Sequence, residues 1–363
     1  MLGTWHQQTN KVTIKPLRGL VGNADLRSVR KEQNMEKRTL GRTGLEVSVL
    51  GMGGLYVSRA GDLGRDEGCR AVHRALELGV NYVDTAPSYR DSEEVLGIAL
   101  EGVPQPYFLA TKLGGRPQPF NPQDKDLLRR SVDESLRLLK RDYIDVLLVH
   151  EPDRPGQYDW WTDYDNFHGP VCDLLEELKA EKIIRFTGLG GTTAYQLPLI
   201  MATGNYDVVL TAFNYSLLWR EATISIFPEA KRGDMGVVVG SPLQQGALSR
   251  RYPEIEMGAP WLSPPRQKQY QRLYGFLDEI EMTLPEAALR LMVATPEIST
   301  VLMGARSVEE VEQNVRAVEA GPLPTDILAE LQAIADMVPF RPSEEPFGLP
   351  FGRPYRWPGQ AGG

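Results

Sequence analysis

The sequence predicts an α/β fold, a (β/α)8 TIM barrel, from three observations. Eight short apolar runs alternate with amphipathic helical stretches, no glycine-rich G-x-G-x-x-G follows any run, and polar residues end several runs, as at a barrel mouth. Eight units suit a closed barrel better than an open doubly wound sheet. The predicted strands are residues 47–50, 81–84, 107–112, 145–150, 185–189, 207–213, 236–240 and 300–303.

The first 34 residues differ in character from the rest of the chain. They are polar, carry six Lys or Arg against two acidic residues, and show no periodicity. We expect an extension that is disordered or that precedes the true start at Met35, with a targeting segment as the alternative. Residues 39–48 contain a glycine turn between extended pieces, which predicts a hairpin that plugs the lower end of the barrel.

Segments with helical periodicity lie between the predicted strands. Residues 66–78, 124–140, 171–180 and 285–293 have the spacing of amphipathic helices. A further helix is predicted over 325–337, and a tail rich in Pro and Gly occupies 340–363. We therefore expect one barrel domain over residues 35–339, between an N-terminal extension and a C-terminal tail.

Composition excludes several classes of protein. The 363 residues are 42% apolar and 24% charged, as in soluble globular chains, and the net charge of -8 argues against nucleic acid or an anionic membrane as the main partner. No apolar run reaches the ~18 residues of a membrane-spanning helix. The two cysteines lack paired spacing, so we expect a reducing, cytoplasmic setting, and no spacing predicts a metal site.

Four polar residues lie at or just beyond the ends of successive strands. Asp84 ends the second strand and Tyr89 follows it, Lys112 ends the third, and His150 ends the fourth. Singly, each has an ordinary explanation as a turn, surface or packed residue. Together they form a proton-transfer set, in which Asp84 keeps Lys112 charged and Lys112 is expected to lower the pKa of the Tyr89 phenol.

These residues lie in segments that resemble the aldo-keto reductase family. Residues 79–89 (GVNYVDTAPSY) are similar to the family's first signature, 139–150 (LKRDYIDVLLVH) to its second, and 302–314 to its cofactor segment. The resemblance covers residues 36–337. It implies a catalytic tetrad of Asp84, Tyr89, Lys112 and His150.

The resemblance further implies an NAD(P)-dependent oxidoreductase. Hydride would pass between nicotinamide C4 and the carbonyl carbon of an aldehyde, ketone or aldose. Tyr89 would donate or accept the proton, and His150 would orient the carbonyl. The alternative is a nicotinamide-binding regulatory or scaffold protein on the same barrel, supported by departures from the family around the nicotinamide ring.

Anion sites are expected after strands seven and eight of a barrel, near helix N-termini. After strand seven, Ser241, Leu243 and Gly246 lie in a loop similar to the family's pyrophosphate loop. Gly304 and Arg306 follow strand eight, where Arg306 is the expected partner of an adenosine phosphate. These residues predict NADP as cofactor, with NAD as the alternative.

The resemblance also implies an adenine contact at Asn314. Glu310 departs from the Gln or Arg of many NADP-using relatives, and a carboxylate there would repel a 2'-phosphate. Ser307 and Glu310 also have the spacing of a helix capping box.

The nicotinamide contacts differ from the family pattern. Gly190 and Gly191 replace the Ser-Asn pair that holds the carboxamide in much of the family, Ala212 replaces a Gln, and Gly240 replaces the stacking aromatic residue. The candidate substitutes are Thr192, Asn214 and Tyr215.

Aromatic residues interleaved with Asp and Asn follow strand four, in residues 158–168. Such loops on a barrel mouth select the substrate, and this composition suits a sugar. Most of these rings are expected to pack the loop onto the barrel, which leaves Trp160 or Trp161 for the ligand. The substrate, the favoured direction and the oligomeric state are open.

Overall fold

The structure is a computed structural model, and it describes residues 35–58, 61–340, 349, 351 and 352. The predicted extension and most of the predicted tail lie outside these residues. The strands are β1 (Lys37–Thr39), β2 (Glu46–Ser48), β3 (Leu50–Gly53), β4 (Tyr82–Asp84), β5 (Phe108–Leu113), β6 (Ile144–His150), β7 (Ile184–Gly191), β8 (Val208–Ala212), β9 (Gly236–Gly240) and β10 (Thr300–Met303). The helices are α1 (Arg65–Glu77), α2 (Ser92–Ala99), α3 (Lys125–Leu139), α4 (Pro170–Ala180), α5 (Leu197–Met201), α6 (Ile226–Arg232), α7 (Glu254–Met257), α8 (Pro264–Glu279), α9 (Leu284–Val293), α10 (Val308–Glu319) and α11 (Thr325–Asp336).

Strands β3 to β10 form a closed barrel in which every neighbouring pair is parallel, with β10 hydrogen-bonded to β3. The predicted (β/α)8 TIM barrel is confirmed. Seven of the eight predicted strands lie within two residues of the observed ones, and the five predicted helices within one residue. In the described part of the chain, no helix is long and apolar enough to cross a membrane.

The first predicted barrel strand, residues 47–50, is wrong in position. Its apolar run is divided between β2 and β3, with a bend at Val49. The Ser48 hydroxyl donates to the carbonyl of Leu50 at 2.7 Å and accepts from the backbone N–H of Asn81 at 2.9 Å. Buried apolar residues lie on both sides of the bend. The apolar pattern of the sequence is therefore continuous there and does not reveal where β2 ends and β3 begins.

The predicted hairpin is confirmed, and it closes the N-terminal end of the barrel. Strands β1 and β2 pair antiparallel, with Lys37 opposite Ser48. Leu40, Leu45 and Val47 pack on a cluster of residues inside the barrel: Tyr82, Ala110, Val146, Leu148, Val208, Leu210, Val238 and Leu302. The lower end is therefore filled by side chains, which leaves the opposite end as the mouth.

The helices surround the barrel because each buries one apolar stripe against it. Helix α3 begins after Asp124, whose carboxylate accepts the N–H of Leu127 at 3.0 Å, and ends at Lys140 in a left-handed conformation. Leu128 and Val132 of this helix are buried. Because all eight barrel strands are parallel, their carboxyl ends lie together at the mouth, where the predicted site residues lie.

Candidate active site

Asp84 and Lys112 form a buried ion pair at the mouth. Asp84 is the last residue of β4, and Lys112 lies near the end of the neighbouring strand β5. The Lys112 ammonium donates to Oδ1 of Asp84 at 2.6 Å and to the carbonyl of Thr85 at 2.7 Å. Their side chains are only 1% and 3% exposed, so the pair is shielded from water.

Tyr89 and His150 complete the group. The Lys112 ammonium lies 4.9 Å from the centroid of the Tyr89 ring. The rings of Tyr89 and His150 meet edge to face with centroids 6.0 Å apart. All four residues predicted as the tetrad thus lie together, although only three of them belong to strands.

Hydrogen bonds fix the loop that carries Tyr89. The backbone N–H of Tyr89 donates to the carbonyl of Ala86 at 3.1 Å, and the N–H of Ser92 donates to the Tyr89 carbonyl at 3.0 Å. The Ser92 hydroxyl donates to the carbonyl of Gly54 at 2.8 Å. The phenol is therefore positioned by the start of α2 and by the loop after β3.

Burial and the ion pair set the charges of Asp84 and Lys112. Burial raises the pKa of Asp84, and the charge of Lys112 opposes this rise. Burial alone would lower the pKa of Lys112, but the Asp84 carboxylate and the Tyr89 phenol outweigh it, so the net pKa lies above the ordinary lysine value. Lys112 is therefore an ammonium at neutral pH.

Lys112 lowers the pKa of the Tyr89 phenol, as predicted, but burial has the larger effect. Burial raises the pKa of Tyr89 above its ordinary value, and the charge of Lys112 offsets only part of the rise. The Asp84 carboxylate, which pairs with Lys112, itself raises the pKa of the phenol. Tyr89 thus carries its proton at neutral pH.

His150 is neutral. Burial, and secondarily the charge of Lys112, lowers its pKa to about 3. Its Nδ1 is buried without a hydrogen-bond partner in the described part of the chain. A neutral imidazole keeps one N–H, which can donate to an oxygen in the mouth.

Trp160 and Trp161 are buried and hydrogen-bonded to the backbone at and just after His150. They are 0% and 4% exposed, and their indole N–H groups donate to the carbonyls of His150 at 3.0 Å and Pro152 at 3.3 Å. The expectation that one of them contacts substrate is therefore corrected. Tyr158 and Phe167 are the half-buried rings in this stretch, and the Tyr158 centroid lies 6.5 Å from that of His150 and 5.1 Å from that of Phe120.

The loop after β9 has the features expected of a pyrophosphate site. Ser241, Gln244 and Gln245 adopt left-handed φ angles of 52°, 51° and 53°, and Gly246 has φ of 101°. Such angles in non-glycine residues cost about 1–3 kcal/mol each and concentrate at functional sites. Leu243 lies half-buried between them. The backbone of this loop, more than its side chains, would contact a phosphate.

The start of α10 is already occupied by carboxylates of the protein. Arg306 binds Glu310 through its side chain at 2.5 Å and its backbone N–H at 2.8 Å. The backbone N–H of Val308 donates to the Glu67 carboxylate of α1 at 3.0 Å. The Ser307 hydroxyl accepts the backbone N–H of Glu310 at 3.2 Å. These contacts engage several of the donors that were expected to bind an adenosine phosphate.

Of two further predicted cofactor residues, Gly304 precedes this helix and Asn314 lies within it. A Cβ on Gly304 would lie 2.9 Å from the ring of Tyr56, so only glycine fits beneath that ring. Asn314 is half-buried on α10, and its amide approaches the Met303 sulfur at 3.8 Å.

Gly190 lies at the end of β7, opposite His150 in the register of β6 and β7. Beside it are two acidic residues that the sequence did not single out. Glu151 accepts the hydroxyl of Thr192 at 2.8 Å, and Asp153 accepts the Thr192 backbone N–H at 2.9 Å. Both follow His150 in a loop with no periodicity, and their position one and three residues after a predicted catalytic residue was the available signal.

Comparison with known proteins identifies the family of the chain. The chain matches the model of the aldo/keto reductase family over residues 49–336. It is 32% identical to L-galactose dehydrogenase from Arabidopsis thaliana, over 84% of this chain and 95% of that protein. It is 26% identical to D-threo-aldose 1-dehydrogenase from a Pseudomonas species, over 82% and 96%.

A solved structure, an aldo-keto reductase from Bacillus halodurans in its holo form, is also similar. It superposes with a TM-score of 0.69 at 30% identity, covering 86% of this chain and all of that one. The chain therefore belongs to the aldo-keto reductase family and is an oxidoreductase.

Proposed function

We propose that this chain is an NAD-dependent dehydrogenase of aldoses, with Tyr89 as its proton donor and acceptor. The observation that supports this most directly is the convergence of Tyr89 and His150 on a buried Asp84–Lys112 pair whose Nζ and Oδ1 are 2.6 Å apart. A pure binding site has no need of a phenol beside a buried ammonium.

The residues divide the proton chemistry between them. Tyr89 holds a proton at neutral pH and is placed to give it to a carbonyl oxygen; in the reverse direction the Tyr89 phenolate, formed by loss of that proton, takes a proton from a substrate hydroxyl. Lys112 stabilises the phenolate that remains after donation, and Asp84 keeps Lys112 in place and charged. The bound nicotinamide supplies or accepts the hydride.

His150 orients the substrate in this proposal. A neutral imidazole beside Tyr89 can donate one hydrogen bond to the same oxygen that receives the proton. Two donors on one oxygen fix the reacting carbon and polarise its bond. Because His150 stays uncharged, the proton comes from Tyr89.

Two observations support a sugar as substrate. The named activities of the relatives above are dehydrogenations of L-galactose and of a D-threo-aldose. The mouth also presents the half-buried rings of Tyr158 and Phe120, whose centroids lie 5.1 Å apart. Such rings can pack on the C–H face of a sugar.

The cofactor preference is revised from NADP to NAD. Arg306, the expected partner of a 2'-phosphate, is bound by Glu310, and the charge of Asp62 also acts on it. The N–H of Val308 is taken by Glu67. A 2'-phosphate would have to displace one carboxylate and lie near the others, whereas ribose hydroxyls can donate to Glu310.

The test is a screen of the purified chain for formation or loss of reduced nicotinamide absorbance, with NAD and NADP and a panel of aldoses, aldehydes and ketones. We expect oxidation of at least one aldose with NAD. A chain that binds NAD tightly but is inert across the panel would instead support the scaffold alternative.

A further inference from the structure

The end of β7 leaves a space beside the catalytic lysine. A Cβ on Gly190 would lie 3.6 Å from Cε of Lys112 and 3.7 Å from the carbonyl of Val149, which are ordinary van der Waals contacts. A side chain would fit there, yet the chain has none. A Cβ on Gly191 would instead lie 2.9 Å from Oδ1 of Asp153, so that position is closed to a side chain.

Glu151 borders this space. Its backbone N–H donates to the carbonyl of Gly190 at 2.7 Å, which keeps it beside the end of β7. Its φ of 51° is left-handed, an uncommon conformation for a glutamate immediately after a catalytic residue. The side chain is held by the Thr192 hydroxyl, which donates to Oε2 at 2.8 Å.

The other carboxylate oxygen of Glu151 is available. Within the described residues, Oε1 accepts no hydrogen bond, while the side chain is only 15% exposed. Glu151 also acts electrostatically on Tyr89, so its charge is felt at the reacting centre. Asn214 and Tyr215, the other candidates for this role, already bond to Thr211 at 2.9 Å and Thr295 at 2.8 Å.

We propose that Oε1 of Glu151 accepts the amide N–H of the nicotinamide carboxamide, with Thr192 holding the carboxylate in place. This inference rests on the proposed function, since it assumes a nicotinamide at this mouth. Glu151 then replaces the Ser-Asn pair that Gly190 and Gly191 lack, and it is a positioning residue for the ring.

The negative charge of Glu151 favours one redox state of the bound cofactor. An oxidised nicotinamide ring is positively charged and a reduced one is neutral, so a nearby carboxylate binds the oxidised form more strongly. A neutral side chain at this position would not discriminate in this way. Glu151 therefore favours binding of NAD⁺ and oxidation of a substrate hydroxyl.

The test measures dissociation constants by calorimetry, without turnover, for NAD⁺, NADH and ADP-ribose. For Glu151→Gln we expect NAD⁺ to bind about tenfold more weakly, the scale of one charge-assisted hydrogen bond. NADH should weaken less, and ADP-ribose, which has no nicotinamide, should be unchanged. Thr192→Val should act in the same direction. Asp165→Asn, an equal charge change at an exposed position of the same loop, should have no effect.

A cofactor analogue isolates the hydrogen bond. When an acetyl group replaces the carboxamide, the carbonyl remains but the N–H is lost. Wild type should prefer NAD⁺ over this analogue, and Glu151→Gln should reduce the preference. Unchanged constants, equal weakening of ADP-ribose, or an effect confined to the KM of the sugar would each overturn the inference. Failure of wild type to bind any dinucleotide would instead refute the proposed function.

Discussion

The ammonium of Lys112 donates to Oδ1 of Asp84 at 2.6 Å, and both side chains are almost fully buried at the barrel mouth. The pair holds a positive charge in a place where a lone ammonium would lose its proton. Because the charge sits 4.9 Å from the Tyr89 ring, the same contact serves stability and proton transfer.

Removing one partner of this pair should be costly. Asp84→Asn leaves the Lys112 charge buried and unpaired, so we expect the free energy of unfolding to fall by about 3–5 kcal/mol. Replacing both residues, as Asp84→Asn with Lys112→Met, should recover part of that loss without restoring activity. Denaturant unfolding and turnover measured on the same samples check this. Full recovery of activity in the double variant would contradict the assigned roles.

His150 should make the fold sensitive to acid. Its pKa is about 3 in the folded chain, below the ordinary 6.5, so protonation favours the unfolded state. The stabilisation is fully present above pH 6.5 and is lost as pH falls from there toward 3, by up to about 1.4 kcal/mol per pH unit. His150→Gln should flatten this slope in unfolding measurements. His168→Gln, at an exposed histidine, should not.

The Arg306–Glu310 pair should control cofactor choice. Glu310→Gln removes the charge that occupies Arg306, so the ratio of kcat/KM for NADPH to that for NADH should rise by about tenfold, the scale of one charge-assisted hydrogen bond. Glu309→Gln is the matched control, because the neighbouring Glu309 bonds to Gln313 and not to Arg306. A wild type that prefers NADPH, with Glu310→Gln unchanged, would refute the account of NAD use.

The hairpin should contribute to stability without affecting chemistry. Leu40 is fully buried in the barrel floor, so Leu40→Ala should lower the free energy of unfolding by about 2–5 kcal/mol. Turnover per folded molecule should stay unchanged. Leu199→Ala, at a position 54% exposed, should have little effect on either. Loss of turnover without loss of stability would mean that the hairpin end of the barrel influences the catalytic site at the opposite end.

Seven of the eight strand positions, and the grouping of the four residues proposed as the tetrad, could be predicted from the sequence because both depend on local order. Apolar runs define the strands, and in a parallel barrel the residue that ends a run must lie at the mouth. Asp84, Lys112 and His150 follow from this rule alone. Tyr89 lies in the loop just beyond β4, and its position shortly after a strand end was the signal for it.

The remaining features depend on contacts between distant segments. Glu67 of α1 reaches Val308 of α10, and no local pattern connects them. The net direction of the Tyr89 pKa shift depends on burial as well as on the nearby charges, and the sequence alone does not give the burial of the phenol. Trp160 was a candidate for substrate contact because composition does not reveal that its indole supports the backbone of His150.

The central claim is that Tyr89 transfers the proton, and Tyr89→Phe tests it most directly. The variant keeps the ring but has no hydroxyl, so we expect kcat for aldose oxidation with NAD to fall by about 10²–10⁴-fold. The dissociation constant for NAD should stay unchanged. Tyr143→Phe, at a partly exposed tyrosine before β6, is the matched control and should retain full activity. A Tyr89→Phe variant that turns over within about threefold of wild type would contradict the claim.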